Sequence, residues 1–223
     1  MDNPKKVLVL FSGGKDSSAT AIEMARAGYV AHLYTYQAGM PELSGPRGES
    51  APDIRHQELL NVFPEKIKKE RILEGSMYLI RKLGIEKTNA LHVVYPLVLA
   101  LAVHSNAIIY CIRNGIRDVA CGYSGYQAKE DRYIEQRDDF FELMKAFLEE
   151  YGITYHAPII KRSKVEVIDI LEKFGVSSNS LENKSVFGGI DFEVDKALDF
   201  WNTSLPFCKE YISEILRGPY ILK

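Results

Sequence analysis

The sequence predicts an α/β fold: a doubly wound parallel sheet of five strands with a small helical C-terminal extension. Three observations lead there. An apolar run, Val7-Leu8-Val9-Leu10, is followed at once by paired glycines and a helical pattern. A β-branched and Leu run of this kind reads as a strand buried on both faces. Strand-like and helix-like segments then alternate along the chain, and glycines close several of the helical patterns.

The 223 residues suit one such domain. An apolar share of 46% is ample for a core, and the net charge of −2 comes with no basic run. That balance argues against a nucleic acid as substrate, because phosphate contacts demand a Lys/Arg surface. The polar stretch Met1–Lys6 leads directly into the first strand, so no secretory signal is expected. No apolar run is expected to span a membrane. The three cysteines, Cys111, Cys121 and Cys208, lack metal-like spacing. A reducing, cytoplasmic compartment is the expectation.

Taken in order, the first strand ends in Phe11-Ser12-Gly13-Gly14-Lys15-Asp16-Ser17-Ser18, and a helix runs on to Ala27 with Gly28 as its stop. Glycines in a strand-to-helix turn let an anion approach the main chain. The N–H groups and positive dipole end of the helix then face that anion. Ser12, Ser17 and Ser18 add hydroxyls and Lys15 a charge, making a phosphate cradle. The Walker and G-x-G-x-x-G spacings are both absent.

Ser-Gly-Gly-Lys-Asp-Ser resembles the signature of the PP-loop ATP pyrophosphatases, which split ATP into AMP and pyrophosphate. The resemblance implies the adenine nucleotide α-hydrolase-like (HUP) version of the α/β fold, with ATP and Mg²⁺ as its nucleotide and ion. It places Ser12, Gly13, Gly14, Lys15, Asp16, Ser17 and Ser18 on the phosphates, with Asp16 as the Mg²⁺ ligand.

Val30 to Tyr36 alternates and reads as the second strand. In the PP-loop family this strand's end receives adenine, making Tyr34 and Tyr36 candidates. Gln37 to Pro52 is rich in Gly and Pro and is expected to be a lid from which Arg47, Glu49, Arg55 and His56 could reach substrate. Helical patterns follow over Ile54–Val62 and Lys66–Leu83, then a third strand over Asn89–Tyr95. An almost wholly apolar helix, Leu97–Arg113, is expected to be buried or at a subunit interface, with His104 as a core histidine.

Arg117 to Gly122 reads as strand four. Open parallel sheets bind ligands beyond the carboxyl ends of their strands where the order reverses. Cys121 and Gly122 therefore fall on the reactive edge, Cys121 as a candidate nucleophile or sulfur carrier, with a small apolar role at the strand end as the alternative, and Gly122 as a nucleotide contact. Gly122-Tyr123-Ser124-Gly125 lacks the final glycine of a hydrolase elbow, which excludes that reading.

Downstream, Tyr133-Ile134-Glu135-Gln136-Arg137-Asp138-Asp139-Phe140 is similar to the Tyr-Pro-Asp-Cys-Arg-x-x-Phe motif of the 7-cyano-7-deazaguanine synthases, a PP-loop family. Tyr133, Arg137 and Phe140 match in kind and spacing, and Glu135 replaces Asp. The likeness makes Tyr133, Glu135 and Arg137 candidates for holding a purine-like substrate. The alternative is an acidic helix start that complements the dipole. Strand five is expected over Ile153–Ala157, then a helix Lys164–Phe174 opened by a Ser163/Glu166 capping box. Pro158-Ile159-Ile160 followed by Lys164 resembles the family's last strand–helix junction, which implies that Lys164 faces phosphate, with Lys161 and Arg162 nearby.

Beyond this point the synthases bind structural zinc through four cysteines. Ser177–Gly189 contains none, so no zinc is expected. Residues 1–176 are expected to form the PP-loop domain and 177–223 a helical extension that covers an edge or pairs subunits, and a homodimer is expected. The resemblance implies adenylation of a carbonyl oxygen on a small purine-like substrate. Substitution then follows from a nitrogen or sulfur donor, with thiolation, as in 6-thioguanine formation, favoured by the departures from the synthase pattern. A nucleotide-binding module without turnover is the alternative of another class.

Overall fold

Alternation along the first strand fixes the architecture. Val7 and Val9 project to one face of the sheet and Leu8 to the other, and all three are fully buried. A strand covered on both sides must lie at the centre of a layered fold. The computed structural model describes residues 4–37, 50–85, 94–130, 134–179 and 193–218. In it β1 (Lys6–Leu10), β2 (Val30–Tyr36), β3 (Ile72–Glu74), β4 (Asp118–Ala120) and β5 (Thr154–His156) form one parallel sheet. Its order is β3-β2-β1-β4-β5, which reverses direction between β1 and β4. The doubly wound, five-stranded fold expected from the sequence is present.

Helices α1 (Lys15–Arg26) and α7 (Lys164–Lys173) cover the face carrying Val7, Val9 and Ala120. Between them in sequence lie α2 (Ala51–Val62), the short α3 (Met77–Leu79) that runs into a π-helical turn Ile80–Ile85, and α4 (Tyr95–Asn114). They are followed by α5 (Gly125–Glu130), a 3₁₀ turn Ile134–Gln136 and α6 (Asp138–Glu149). The last helix is α8 (Val194–Arg217). Helices α4, α6 and α8 form the second layer, against Leu8, Tyr34 and Val119.

Helix α4 is long and apolar enough to cross a membrane by composition, contrary to the expectation that no segment is. Its burial explains the composition, since eleven of its residues lie inside the fold. Helix α8 lies against it, with Trp201 packed on Phe140 at 4.0 Å between ring centroids and its Nε1–H donating to Leu97 O at 3.0 Å.

Two expectations need correction. Lys66–Leu83 is not one helix, because Ile72–Glu74 pairs with Tyr34–Tyr36 as the edge strand β3. The third strand is therefore not Asn89–Tyr95. Positions 89–93 lie outside the described residues, and Tyr95 already belongs to α4, with Pro96 in its first turn. Proline there is pre-organised for helix and loses no bond.

His104 is the core histidine expected. It is fully buried, Nδ1 bonding Ala100 O at 2.7 Å and Nε2 the Tyr155 hydroxyl at 2.6 Å. Burial lowers its pKa from 6.5 to about 4. Between those values the unfolded chain binds more protons than the folded one, so stability falls as pH drops from 6.5 toward 4. The loss from His104 is about 3 kcal/mol. His32, lowered to about 4 chiefly by burial, acts in the same sense. Urea unfolding at pH 7 and pH 4.5 measures the effect, and equal stability at both would refute it.

Candidate active site

Beyond the carboxyl ends of β1 and β4 the chain turns sharply at two glycines. Gly13 has φ +79, a conformation that side chains rarely adopt. Gly14 is the N-cap of α1, and its N–H donates to Ser12 Oγ at 3.2 Å. Ser12 Oγ also lies 3.3 Å from Ser17 Oγ. The hydroxyls of Ser17 and Ser18 donate back to Gly14 O at 3.1 and 2.8 Å. These bonds hold the loop against the helix start, whose first N–H groups have no acceptor within the helix. Ser12 is exposed and Lys15 half-exposed beside them.

The strand-four loop packs on the same turn. A Cβ at Gly122 would lie 2.7 Å from Ser17 N, so only glycine lets the two backbones approach. Thr20 Oγ1–H donates to Cys121 O at 3.2 Å, tying α1 to the end of β4. Asp16 is almost fully buried, and its carboxylate accepts from the Tyr126 hydroxyl at 2.9 and 3.1 Å and from Gln127 Nε2 at 3.1 Å. Neither Tyr126 nor Gln127 was marked by sequence. The density of polar side chains after Gly122 was the only signal.

A third loop joins from β5. Gly125 N–H donates to Ile160 O at 2.9 Å, and Lys164 stands exposed as the first residue of α7, behind the expected Ser163/Glu166 capping box. Backbone bonds from Ser163 and the Arg162 guanidinium hold the Glu166 carboxyl down to about 2. The phosphate loop and the Gly122–Gln127 segment thus meet at one edge of the sheet, and Ile160 ties the end of the strand-five junction to that segment.

The purine-site candidates divide. Tyr133 lies outside the described residues. Glu135 is half-buried, and burial raises its carboxyl pKa. Its charge acts on the buried Tyr123 hydroxyl, and the adjacent Gln136 Oε1 accepts from Ser124 N–H at 2.9 Å. Arg137 occupies the N-cap position of α6 without a side-chain capping bond and pairs with Asp139 at 2.8 Å, with much of its side chain in solvent.

Other candidates are placed differently from their expected roles. Tyr34 is buried in the core against Tyr110, so no ring can stack on it. Tyr36 is half-buried, and its hydroxyl donates to Ser76 O at 2.5 Å. Most of the expected lid, Arg47 and Glu49 included, lies outside the described residues. Arg55 turns inward and is fully buried, while His56 Nε2 bonds Lys68 O at 2.8 Å.

Cys121 shares the face of Val119, not that of Ala120, and is buried in the core beneath α4. Burial pushes its thiol up to about 11, only partly offset by hydrogen bonds from Tyr155 and the backbone. No cation among the described residues favours the thiolate. Burial likewise pushes Cys111 up to about 12 and Cys208 to about 11. Among the described residues no three His, Cys, Asp or Glu side chains come together as a metal site. Three cysteines are too few for a four-thiolate zinc centre.

Comparison with known proteins agrees with this fold. No curated protein matches the chain significantly. Among solved structures, a 4-thiouridine synthetase in complex with RNA and ATP has a TM-score of 0.57 at 14% identity, over 93% of this chain. The chain spans 53% of that synthetase, and the likeness is one of fold. A Methanocaldococcus jannaschii protein described as a predicted subunit of tRNA methyltransferase has a TM-score of 0.47 at 19% identity, over 76% of each chain. The family model for the queuosine biosynthesis protein QueC matches residues 6–184, from the first strand through the phosphate loop and beyond the α7 junction. The chain therefore belongs to the QueC family of PP-loop ATP pyrophosphatases.

Proposed function

We propose that the protein adenylates a carbonyl oxygen on a small purine-like or deazapurine substrate and that ammonia then adds to the activated carbon, the C–O bond breaking so that the oxygen leaves with AMP. The convergence of the Ser12–Ser18 turn with the Gly122–Gln127 segment carries this reading, because a nucleotide held by the turn would lie beside a polar segment suited to an acceptor. In the first step the substrate oxygen attacks the α-phosphorus of ATP and the bridging bond to the β-phosphate breaks. Pyrophosphate leaves into the loop's N–H groups, Ser12, Ser17, Lys15 and Lys164, which neutralise its charge. Asp16 keeps acceptor capacity for a Mg²⁺ ion brought with the nucleotide, while Tyr126 and Gln127 fix its carboxylate. Glu135, with its raised pKa, is suited to hold a ring N–H or exocyclic amine. Tyr133 and Arg137 stand beside it in sequence as further substrate contacts.

Nitrogen is favoured over sulfur because Cys121 is buried and its thiol is not acidified, so a protein-borne persulfide has no support at this position. Thiolation would need sulfide from elsewhere.

Pyrophosphate release from Mg-ATP, screened over deazapurine acids and free purines with ammonium or sulfide, tests the proposal. The expected result is AMP and pyrophosphate in step with one acceptor and ammonium, unchanged in Cys121→Ala. Dependence on sulfide would establish thiolation instead. Nucleotide binding without pyrophosphate from any acceptor would leave a binding module.

A further inference from the structure

Arg55 is the largest charged side chain with no solvent exposure among the described residues. A buried guanidinium costs several kcal/mol unless every donor is matched, so its partners indicate why it is there. Its Nε–H points at Gly13 O at 3.5 Å. One terminal nitrogen pairs with Glu58 at 2.8 Å and also donates to the carbonyl and hydroxyl of Ser177. The other donates to Asn179 O at 2.9 Å. Glu58 in turn accepts from Ser177 N–H at 3.2 Å. One planar side chain thus spans the phosphate loop and the segment that follows α7, positions 42 and 122 residues away from it.

The helix carrying Arg55 also touches that loop directly. A Cβ on Gly13 would lie 2.5 Å from Pro52 N, so the first turn of α2 rests on the Gly13 peptide. Pro52 and Arg55 are three residues apart and share one helix face. The fork of guanidinium donors is rigid, so displacing the Gly13 carbonyl and displacing residues 177–179 disturb the same group.

We propose that Arg55 is a positioning residue that couples nucleotide binding at the phosphate loop to docking of the 177–179 segment. The inference rests on the phosphate loop binding ATP. An anion that fixes the Gly13 peptide fixes the Arg55 fork and with it the acceptors on Ser177 and Asn179. Coupling of this kind is reciprocal, so loosening the segment must weaken the nucleotide.

Calorimetric titration with Mg-α,β-methylene-ATP, which cannot lose pyrophosphate, provides the test. Arg55→Lys, which keeps the charge but not the fork, is expected to lower affinity at least about tenfold, and Ser177→Ala about fivefold, both within the usual range of coupling energies. Ser178→Ala is the control, since that hydroxyl donates to Glu172 and not to Arg55. Hydrogen exchange at residues 177–179 should slow when the analogue binds to the wild type. If Arg55→Lys does not fold, the contrast of Ser177→Ala with Ser178→Ala decides alone. Wild-type binding with no loss in Ser177→Ala and no change in exchange overturns the coupling and leaves the ATP site standing. No binding by the wild type overturns both.

Discussion

Alanine at position 13 lowers affinity for a magnesium-bound ATP analogue at least about tenfold and destabilises the fold by about 2–4 kcal/mol. Two costs combine. The backbone at φ +79 is unfavourable for any side chain with a Cβ, and that carbon would meet Pro52 N at 2.5 Å, Pro52 Cα at 2.6 Å and Ala51 C at 2.8 Å. Those atoms are backbone and cannot rotate away, so the loop or the start of α2 must shift. Gly115→Ala separates the two costs. Its φ is +63, but no heavy atom lies within 4 Å of the added carbon. It should lose about 1–2 kcal/mol of stability and bind nucleotide normally. Calorimetry and chemical denaturation report both quantities. Wild-type affinity in Gly13→Ala would mean that the loop is not the nucleotide's cradle.

Truncation of Trp201 to alanine is expected to cost about 3–5 kcal/mol, the range for large buried aromatics. Trp201 is the largest fully buried side chain described, and it joins α8 to α4 and α6 through Leu97 O and Phe140. For a chain of this size the melting temperature should drop by about 10 °C. A single displaced transition would mean that α8 unfolds with the sheet. An unchanged melting temperature would show that α8 contributes little to the fold.

The central part of this fold was readable because local signals agreed. An apolar strand, a glycine turn and a helix start coincide within Lys6 to Arg26, and the capping box at Ser163 announces α7. Strand β3 was not readable, since three residues at a sheet edge show no period and their pairing with β2 is a tertiary event. The direction of Cys121 was legible in principle. Alternation from Val119, which faces α4, already turns Cys121 to that same side. Tyr126 and Gln127 could not be found this way. Their partner Asp16 is 110 and 111 residues distant, and no spacing rule spans that interval. The same holds for Arg55, which looks like an ordinary solvated charge on a helix until its acceptors are seen.

The strand order has a consequence for synthesis. Leu8 and Val9 wait for Val119 and Ala120 to complete the central pairing of the sheet. At ribosomal rates of ~5–20 residues per second, that edge of β1 stays open for roughly 5–20 s after it emerges. Lys6–Leu10 is apolar and β-prone, the kind of segment that associates with other chains when left unpaired. The strand that presents the phosphate loop in the finished protein is therefore, in the nascent chain, the segment most in need of shelter.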